Sequence, residues 1–152
     1  TYGIKYVIMR PTNNYGIRQH SEKFIPLSIK NLIRGKKIRL HNEGLPVRNW
    51  LHADDTASAV LTVLESGVEN EIYNISGNLE QQNIETAKKI IHEFHGVNSP
   101  EDYIDLSYVR PGQDIRYALN DRKLRGFGWR AKRDFDQELK KIVKFYKEQY
   151  EW

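Results

Sequence analysis

The sequence predicts an α/β fold with parallel strand pairing, on three observations. Strand-like and helix-like segments alternate along the chain. Two short apolar runs rich in β-branched residues, residues 5–10 and Glu71–Ile75, read as strands buried on both faces, the pattern of parallel sheets. Between them lie segments with apolar residues at helical spacing. A doubly wound sheet normally has roughly five or six such strands. Two of them therefore predict one edge of a larger sheet.

Composition narrows the class. The 152 residues carry 24 Lys+Arg against 20 Asp+Glu, a net charge of +4, with 39% hydrophobic and 29% charged residues. That balance describes one soluble globular domain and excludes a disordered tail. No apolar run approaches the ~18–20 residues of a membrane-spanning helix, and no signal peptide precedes the first strand. A cytoplasmic, non-membrane protein is expected. With no cysteine there is no disulfide, thiolate zinc site or cysteine nucleophile, which fits a reducing compartment.

The elements follow in order. After the first strand, residues 11–16 (Pro-Thr-Asn-Asn-Tyr-Gly) carry turn chemistry. A helix is predicted over about residues 26–34, with Leu27, Leu32 and Ile33 as its apolar face and Gly35 as its stop. Short strands at Ile38–His41 and residues 47–51 flank a polar turn at Asn42–Gly44. Asp54 and Asp55 offer N-caps to a helix whose Ala57, Val60, Leu61 and Leu64 share one face, with Gly67 beyond its end. The next helix runs over about Asn83–His95, with Ile84, Ala87, Ile91 and Phe94 inward and Gly96 as its stop. Residues 106–109 form a short strand entering the Arg110-Pro111-Gly112 turn. The last helix starts at the Asp134 cap and buries Phe135, Leu139, Ile142, Val143, Tyr146 and Tyr150.

Several apparent signals dissolve in context. Gly126-Phe127-Gly128-Trp129-Arg130-Ala131 has the spacing of a dinucleotide fingerprint, but a fingerprint must leave an apolar strand and open a helix. Here a short charged helix precedes it, so a loop is predicted. His52, His92 and His95 are too scattered for the converging ligands of a zinc site, and no metal is expected. The basic groups around Lys36, Arg130 and Lys140 stand beside acids and lack aromatic interleaving, which reads as solvated helix faces rather than a nucleic-acid surface. The informative residues are polar ones at strand ends: Asn13, Asn14, Arg48, Asn83 and Arg110. Open α/β sheets bind ligands at the carboxyl ends of strands, and guanidinium forks suit a diphosphate. Helix capping by Asn83 and turn formation by Asn13 and Asn14 are the plainer alternatives.

Residues 11–16, followed by Glu22-Lys23-Phe24-Ile25-Pro26-Leu27, closely resemble the nucleotide-sugar 4,6-dehydratases of the extended short-chain dehydrogenase/reductase family. The likeness continues through Arg48-Asn49-Trp50-Leu51-His52-Ala53-Asp54-Asp55, Tyr73-Asn74-Ile75-Ser76-Gly77, Gln82-Asn83-Ile84 and Arg110-Pro111-Gly112-Gln113-Asp114. It ends with Arg116-Tyr117-Ala118 and Gly128-Trp129, so it spans the chain in order. The resemblance implies the last parallel strands and helices of a Rossmann-like sheet plus a small α/β substrate-binding subdomain. Residues 1–20 and 45–80 would belong to the sheet, and 21–44 and 81–152 to the subdomain.

It also implies the site. Asn13 resembles a substrate ligand, Glu22 and Lys23 sugar or phosphate contacts, and Arg39, Leu40 and His41 the segment holding the nucleobase. Arg48 and Asn83 match diphosphate or nucleoside contacts, and Arg110 to Gln113 the loop closing over the diphosphate. Pro11 and Asn14 would face NAD. The implied activity is removal of hydride from C4 of a nucleotide-linked glucose to NAD, loss of water across C5 and C6, and hydride return to C6. An epimerase or decarboxylase of the same superfamily and a non-catalytic nucleotide-sugar binding module are the alternatives. His41 stands where the family often has Tyr, Gln113 where it often has His, Asn49 for Asp and Ile17 for Pro. These departures leave thymine preferred as the base and uracil open. None of the nine tyrosines has a Lys four residues on, so the catalytic Tyr-x-x-x-Lys pair is missing, as is a placed NAD fingerprint. The chain is expected to be the C-terminal part of such an enzyme. It would be completed by the N-terminal half of the same enzyme, which would bind most of the NAD and bring the parent together as a homodimer.

Overall fold

A computed structural model describes residues 2–148. Its strands are β1 (Val7–Pro11), β2 (Asn13–Tyr15), β3 (Ile38–His41), β4 (Val47–His52), β5 (Glu71–Ile75), β6 (Leu79–Gln82), β7 (Ile104–Tyr108) and β8 (Arg116–Tyr117). The helices are α1 (Phe24–Ile33), α2 (Ala53–Glu65), α3 (Asn83–His95), α4 (Arg122–Arg125) and α5 (Phe135–Glu148). The two apolar runs pair with each other, β1 parallel to β5 with Val7 opposite Glu71 and Pro11 opposite Ile75. A second sheet is built on β4, which pairs parallel with β2 and β8 and antiparallel with β6. The third is the parallel pair β3 and β7.

Two cores hold these layers. In the first, α1, α3 and α5 bury Ile25, Ile29, Leu32, Ile90, Ile91, Leu139 and Ile142 against Ile38, Leu40 and Ile104 of β3 and β7. Tyr15, Trp50 and Phe135 meet at its edge, with ring centroids 4.9 and 5.8 Å from Phe135. In the second, Ala59 and Val63 of α2 pack with Leu51, Tyr73, Ile75, Leu124, Trp129 and Ala131. The segment 126–131 is a loop, as its context predicts: it leaves α4, and its Trp129 Nε1 donates to Ser58 Oγ at 2.9 Å.

Three expectations are corrected. The runs at β1 and β5 are buried on one face only. Ile8 and Ile72 are exposed while Tyr73 and Ile75 are buried, so the apolar packing of this pair is confined to one face. In α1 the inward residues are Ile25, Ser28, Ile29 and Leu32, and Leu27 and Ile33 face outward. In α2, Ala59 and Val63 turn inward, leaving Leu61 58% and Leu64 65% exposed. Its cap is His52, whose Nδ1 accepts from Asp54 N at 3.2 Å. Asp55 instead accepts the Lys132 and Arg133 backbone N–H groups, each at 3.0 Å, and this long-range tie sets the rotation of the helix.

The stretch 11–16, expected as a turn, ends β1 and forms β2, and the strand expected at 106–109 is shifted to Ile104–Tyr108, leaving Val109 exposed. Helix α3 has the expected bounds and stops at Gly96, whose φ of 70° is the left-handed conformation that glycine adopts without strain. Asp134 Oδ1 accepts from Gln137 N at 2.9 Å and caps α5; the expectation for Tyr150 lies outside the described residues. Asp134→Ala should remove about 1 kcal/mol of stability and lower the thermal midpoint by about 2–4 °C, read by circular dichroism. An unchanged midpoint would mean that solvent caps the helix equally well.

Candidate functional site

Strand β3 alternates buried Ile38 and Leu40 with exposed Arg39 and His41, so its two polar side chains share the open face. Leu40 is in the core, and only its backbone can meet a ligand. The facing strand carries one extra residue: Arg39 lies opposite Asp105, yet His41 lies opposite Tyr108. Such a bulge re-aims side chains. It brings the Tyr108 ring against both neighbours, 4.9 Å from the Arg39 guanidinium carbon and 6.1 Å edge-on from the His41 ring. Asp105 accepts from the Ser107 hydroxyl and N–H, which hold its carboxyl below the ordinary range. With Phe24, Leu27 and Lys37, these residues line a cleft of about 610 Å³. A wall of aromatic faces and cations suits a flat heterocycle carrying negative charge.

Beside this cleft runs the loop from Arg110 to Asp114, gripped at both ends. At one end Asn42 Oδ1 accepts from Arg110 N at 3.0 Å, while Asn42 Nδ2 donates to Arg110 O at 3.2 Å and to Gln113 Oε1 at 3.1 Å. At the other, Arg48 donates to Asp114 O at 3.1 Å and to Val47 O at 2.7 Å, and Val47 N donates to Ile115 O at 2.8 Å. Among the described residues the Arg110 guanidinium makes no hydrogen bond or ion pair, so its donors are available to an anion.

Strand β4 connects this region to the asparagines. Arg48 stands at its start, and two residues on, Trp50 lies opposite Asn13. Asn13 Oδ1 is buried without a hydrogen-bond partner, an acceptor that a ligand hydroxyl would satisfy. The neighbouring amide is more committed: Asn14 Nδ2 donates to Thr12 O at 3.0 Å and Oδ1 accepts from Thr56 at 2.6 Å. Pro11 ends β1 opposite Ile75. Asn83 opens α3, its N–H tied to Pro46 O at 3.0 Å, which fixes it beside the start of β4; its N-cap neighbour is Gln82. Glu22 and Lys23 pair with each other at 3.1 Å at the exposed start of α1, and this contact holds the Glu22 carboxyl below its ordinary range.

The structure thus links Arg39 and His41 through Tyr108, Arg110 and Gln113 through Asn42, and Arg48 to Asp114 of the same loop, with Asn13 on the strand paired to β4 and Asn83 tied to the residue before it. Among the described residues the Glu22 and Lys23 side chains make no hydrogen bond or ion pair with this group, although the next residue, Phe24, lines the cleft. Sequence reasoning missed Tyr108 and Asn42. In the sequence Tyr108 shows as an aromatic in the expected 106–109 strand, but its place beside His41 does not, since that depends on the pairing and bulge of β7. Tyr15 is not an acid–base group near neutral pH: burial, with Glu138 nearby, pushes its phenol far above the ordinary range. A separate hollow of about 460 Å³ between α3 and α5 has its lysines already paired, Lys89 with Asp136 and Lys88 with Glu85, and offers an anion little.

Residues 1–76 match the NAD dependent epimerase/dehydratase family. The chain is 38% identical over 155 residues to dTDP-glucose 4,6-dehydratase of Haemophilus influenzae, covering 96% of this chain and 46% of that protein. It is 38% identical over 152 residues to human dTDP-D-glucose 4,6-dehydratase, covering 98% and 43%. Among solved structures, DesIV, a dTDP-glucose 4,6-dehydratase from Streptomyces venezuelae with NAD and TYD bound, superposes with a TM-score of 0.88 at 37% identity, covering 98% of this chain and 46% of that one. UDP-glucose 4-epimerase from Thermotoga maritima shares the fold, with a TM-score of 0.81 at 24% identity over 96% of this chain and 47% of its own. The chain spans about half the length of the curated relatives it matches.

Proposed function

The chain belongs to the NAD dependent epimerase/dehydratase family, and from that premise we propose that it supplies the substrate-binding part of a dTDP-glucose 4,6-dehydratase. The observation that carries this reading is the joining of the Arg39–Tyr108–His41 wall to the loop bearing Arg110, beside Arg48. A base against Tyr108 and His41 would place its diphosphate between Arg48 and Arg110, where guanidinium forks match phosphate oxygens. The hexose would then reach along β4 towards Asn13 Oδ1, with Glu22 and Lys23 approaching from α1. Asn83 would meet the nucleoside or diphosphate from the start of α3.

Pro11 and Asn14, at the carboxyl end of β1 and the strand that follows it, would meet NAD. The Asn14 amide fits, since its orientation is set by Thr12 and Thr56 and one amide hydrogen is left over. NAD when bound supplies the hydride acceptor and donor that make a difficult elimination accessible. The residues of this chain bind and orient the sugar. The division into sheet segments 1–20 and 45–80 and substrate segments 21–44 and 81–152, a homodimeric cytoplasmic enzyme and completion by an N-terminal half all belong to the same proposal.

Incubating the longest natural polypeptide that carries these residues with dTDP-glucose and NAD tests it. The expected product is the 4-keto-6-deoxy sugar, read by its absorbance in alkali, with the isolated 152 residues giving no turnover. Formation of the C4 epimer alone, without a keto product, would assign the protein to the epimerases instead.

A further inference from the structure

We propose that Asn42 is a positioning residue that latches the Arg110–Asp114 loop beside the cleft before ligand arrives; the inference rests on the nucleotide-sugar reading above. Asn42 follows His41 directly and has a φ of 50°, a left-handed turn that swings its side chain out of line with β3. The amide then exchanges hydrogen bonds with both backbone groups of Arg110, at 3.0 and 3.2 Å, as one strand residue does with its antiparallel partner. A further bond to Gln113 Oε1 at 3.1 Å spans the loop.

Few apolar contacts anchor this segment. The residues flanking it, Val109 and Ile115, are 78% and 83% exposed. Its placement therefore depends on polar ties, Asn42 at the leading end and Arg48 with Val47 at the trailing end. Because the Arg110 backbone is fixed by Asn42 while its guanidinium is uncommitted, the latch presents a charged fork without engaging it. Asn42 also couples the subsites mechanically, since the residue that ends the base-binding strand holds the loop that meets the diphosphate. Releasing the latch lowers the fraction of molecules with the loop in place, and apparent affinity falls by that fraction.

Asn42→Gly separates this role from folding, because glycine adopts the left-handed φ without strain and removes only the amide. The experiment uses the longest natural polypeptide carrying these residues. Amide exchange at Arg110 and Gln113 should quicken in the ligand-free variant, and saturating dTDP should slow it again. The Kd for dTDP and the KM for dTDP-glucose should each rise about tenfold, equivalent to about 1.4 kcal/mol. At saturation kcat should match the parent, since bound ligand holds the loop itself. Unchanged exchange at Arg110 and Gln113 would overturn the proposal, and so would a loss of kcat and thermal stability with KM unmoved. If the parent neither binds dTDP nor turns over dTDP-glucose, the functional reading fails, while exchange in the free protein still decides whether Asn42 holds the loop.

Discussion

Asn49→Ala should destabilise the protein by about 3–5 kcal/mol in urea unfolding, and Gly77→Ala by at least as much. Asn49 is buried where the β1–β5 pair meets the sheet built on β4. Its Oδ1 accepts from Gly77 N and from Thr12 Oγ1, each at 2.7 Å, and its Nδ2 donates to Gly77 O at 3.0 Å. Thr12 N in turn donates to Ile75 O at 3.0 Å, so one amide ties the end of β1, the middle of β4 and the turn after β5. Alanine would leave three buried polar groups without partners, each costing about 1–3 kcal/mol. Thr12→Val removes one of these bonds and should cost only about 1 kcal/mol. At Gly77 a Cβ would lie 1.7 Å from Trp50 O and 2.5 Å from its carbonyl carbon. Both atoms are backbone in the centre of β4, and neither can retreat without breaking the bonds to Asn49. An Asn49→Ala protein within about 1 kcal/mol of the parent would show that ordered water replaces the amide.

The same contrast between local and distant causes explains which parts of the fold were legible. Helix α3 carries its own cap region, its own stop at Gly96 and one dominant apolar face, so sequence spacing recovers its bounds. Helix α2 has two apolar stripes at the same period, Ala57–Leu61–Leu64 and Ala59–Val63. The choice between them is made by Asp55, which reaches backbone groups 77 and 78 residues away. Strands β6 and β8, of 4 and 2 residues, are too short to show a period and exist because β4 offers them an edge. At the proposed site, Asn13, Arg48 and Arg110 stand out in the sequence as polar residues at strand ends. Tyr108 does not, because its place beside His41 depends on a bulge in β7. Asn42 was hidden by its conformation: in a regular strand continuation its amide would not face Arg110.

If the proposed dehydratase reading holds, Arg110→Ala and Arg48→Ala should each raise the KM for dTDP-glucose by roughly 10–100-fold, through loss of the proposed charge-assisted contact to the diphosphate. The two variants should differ in a second measurement. The Arg110 guanidinium has no partner among the described residues, so truncating it should leave amide exchange in the 110–114 loop unchanged. Arg48 also donates to Asp114 O, so its truncation should weaken substrate binding and quicken exchange at the trailing end of the loop together. Lysine should therefore restore part of the affinity at position 110, where a point charge still meets phosphate. At position 48 it should restore less, because Arg48 holds Val47 O and Asp114 O through Nη1 alone and keeps Nε and Nη2 for a phosphate, whereas a single ammonium must choose between the two tasks. Combining Arg48→Ala with Asn42→Gly removes both side-chain grips on one short loop, leaving the Val47 N–Ile115 O bond, and such coupled sites are not additive. Once the first grip is lost, the second restrains fewer molecules, so the double variant should lose less affinity than the sum of the two. Parent-like KM values in both arginine variants would move the diphosphate away from this loop.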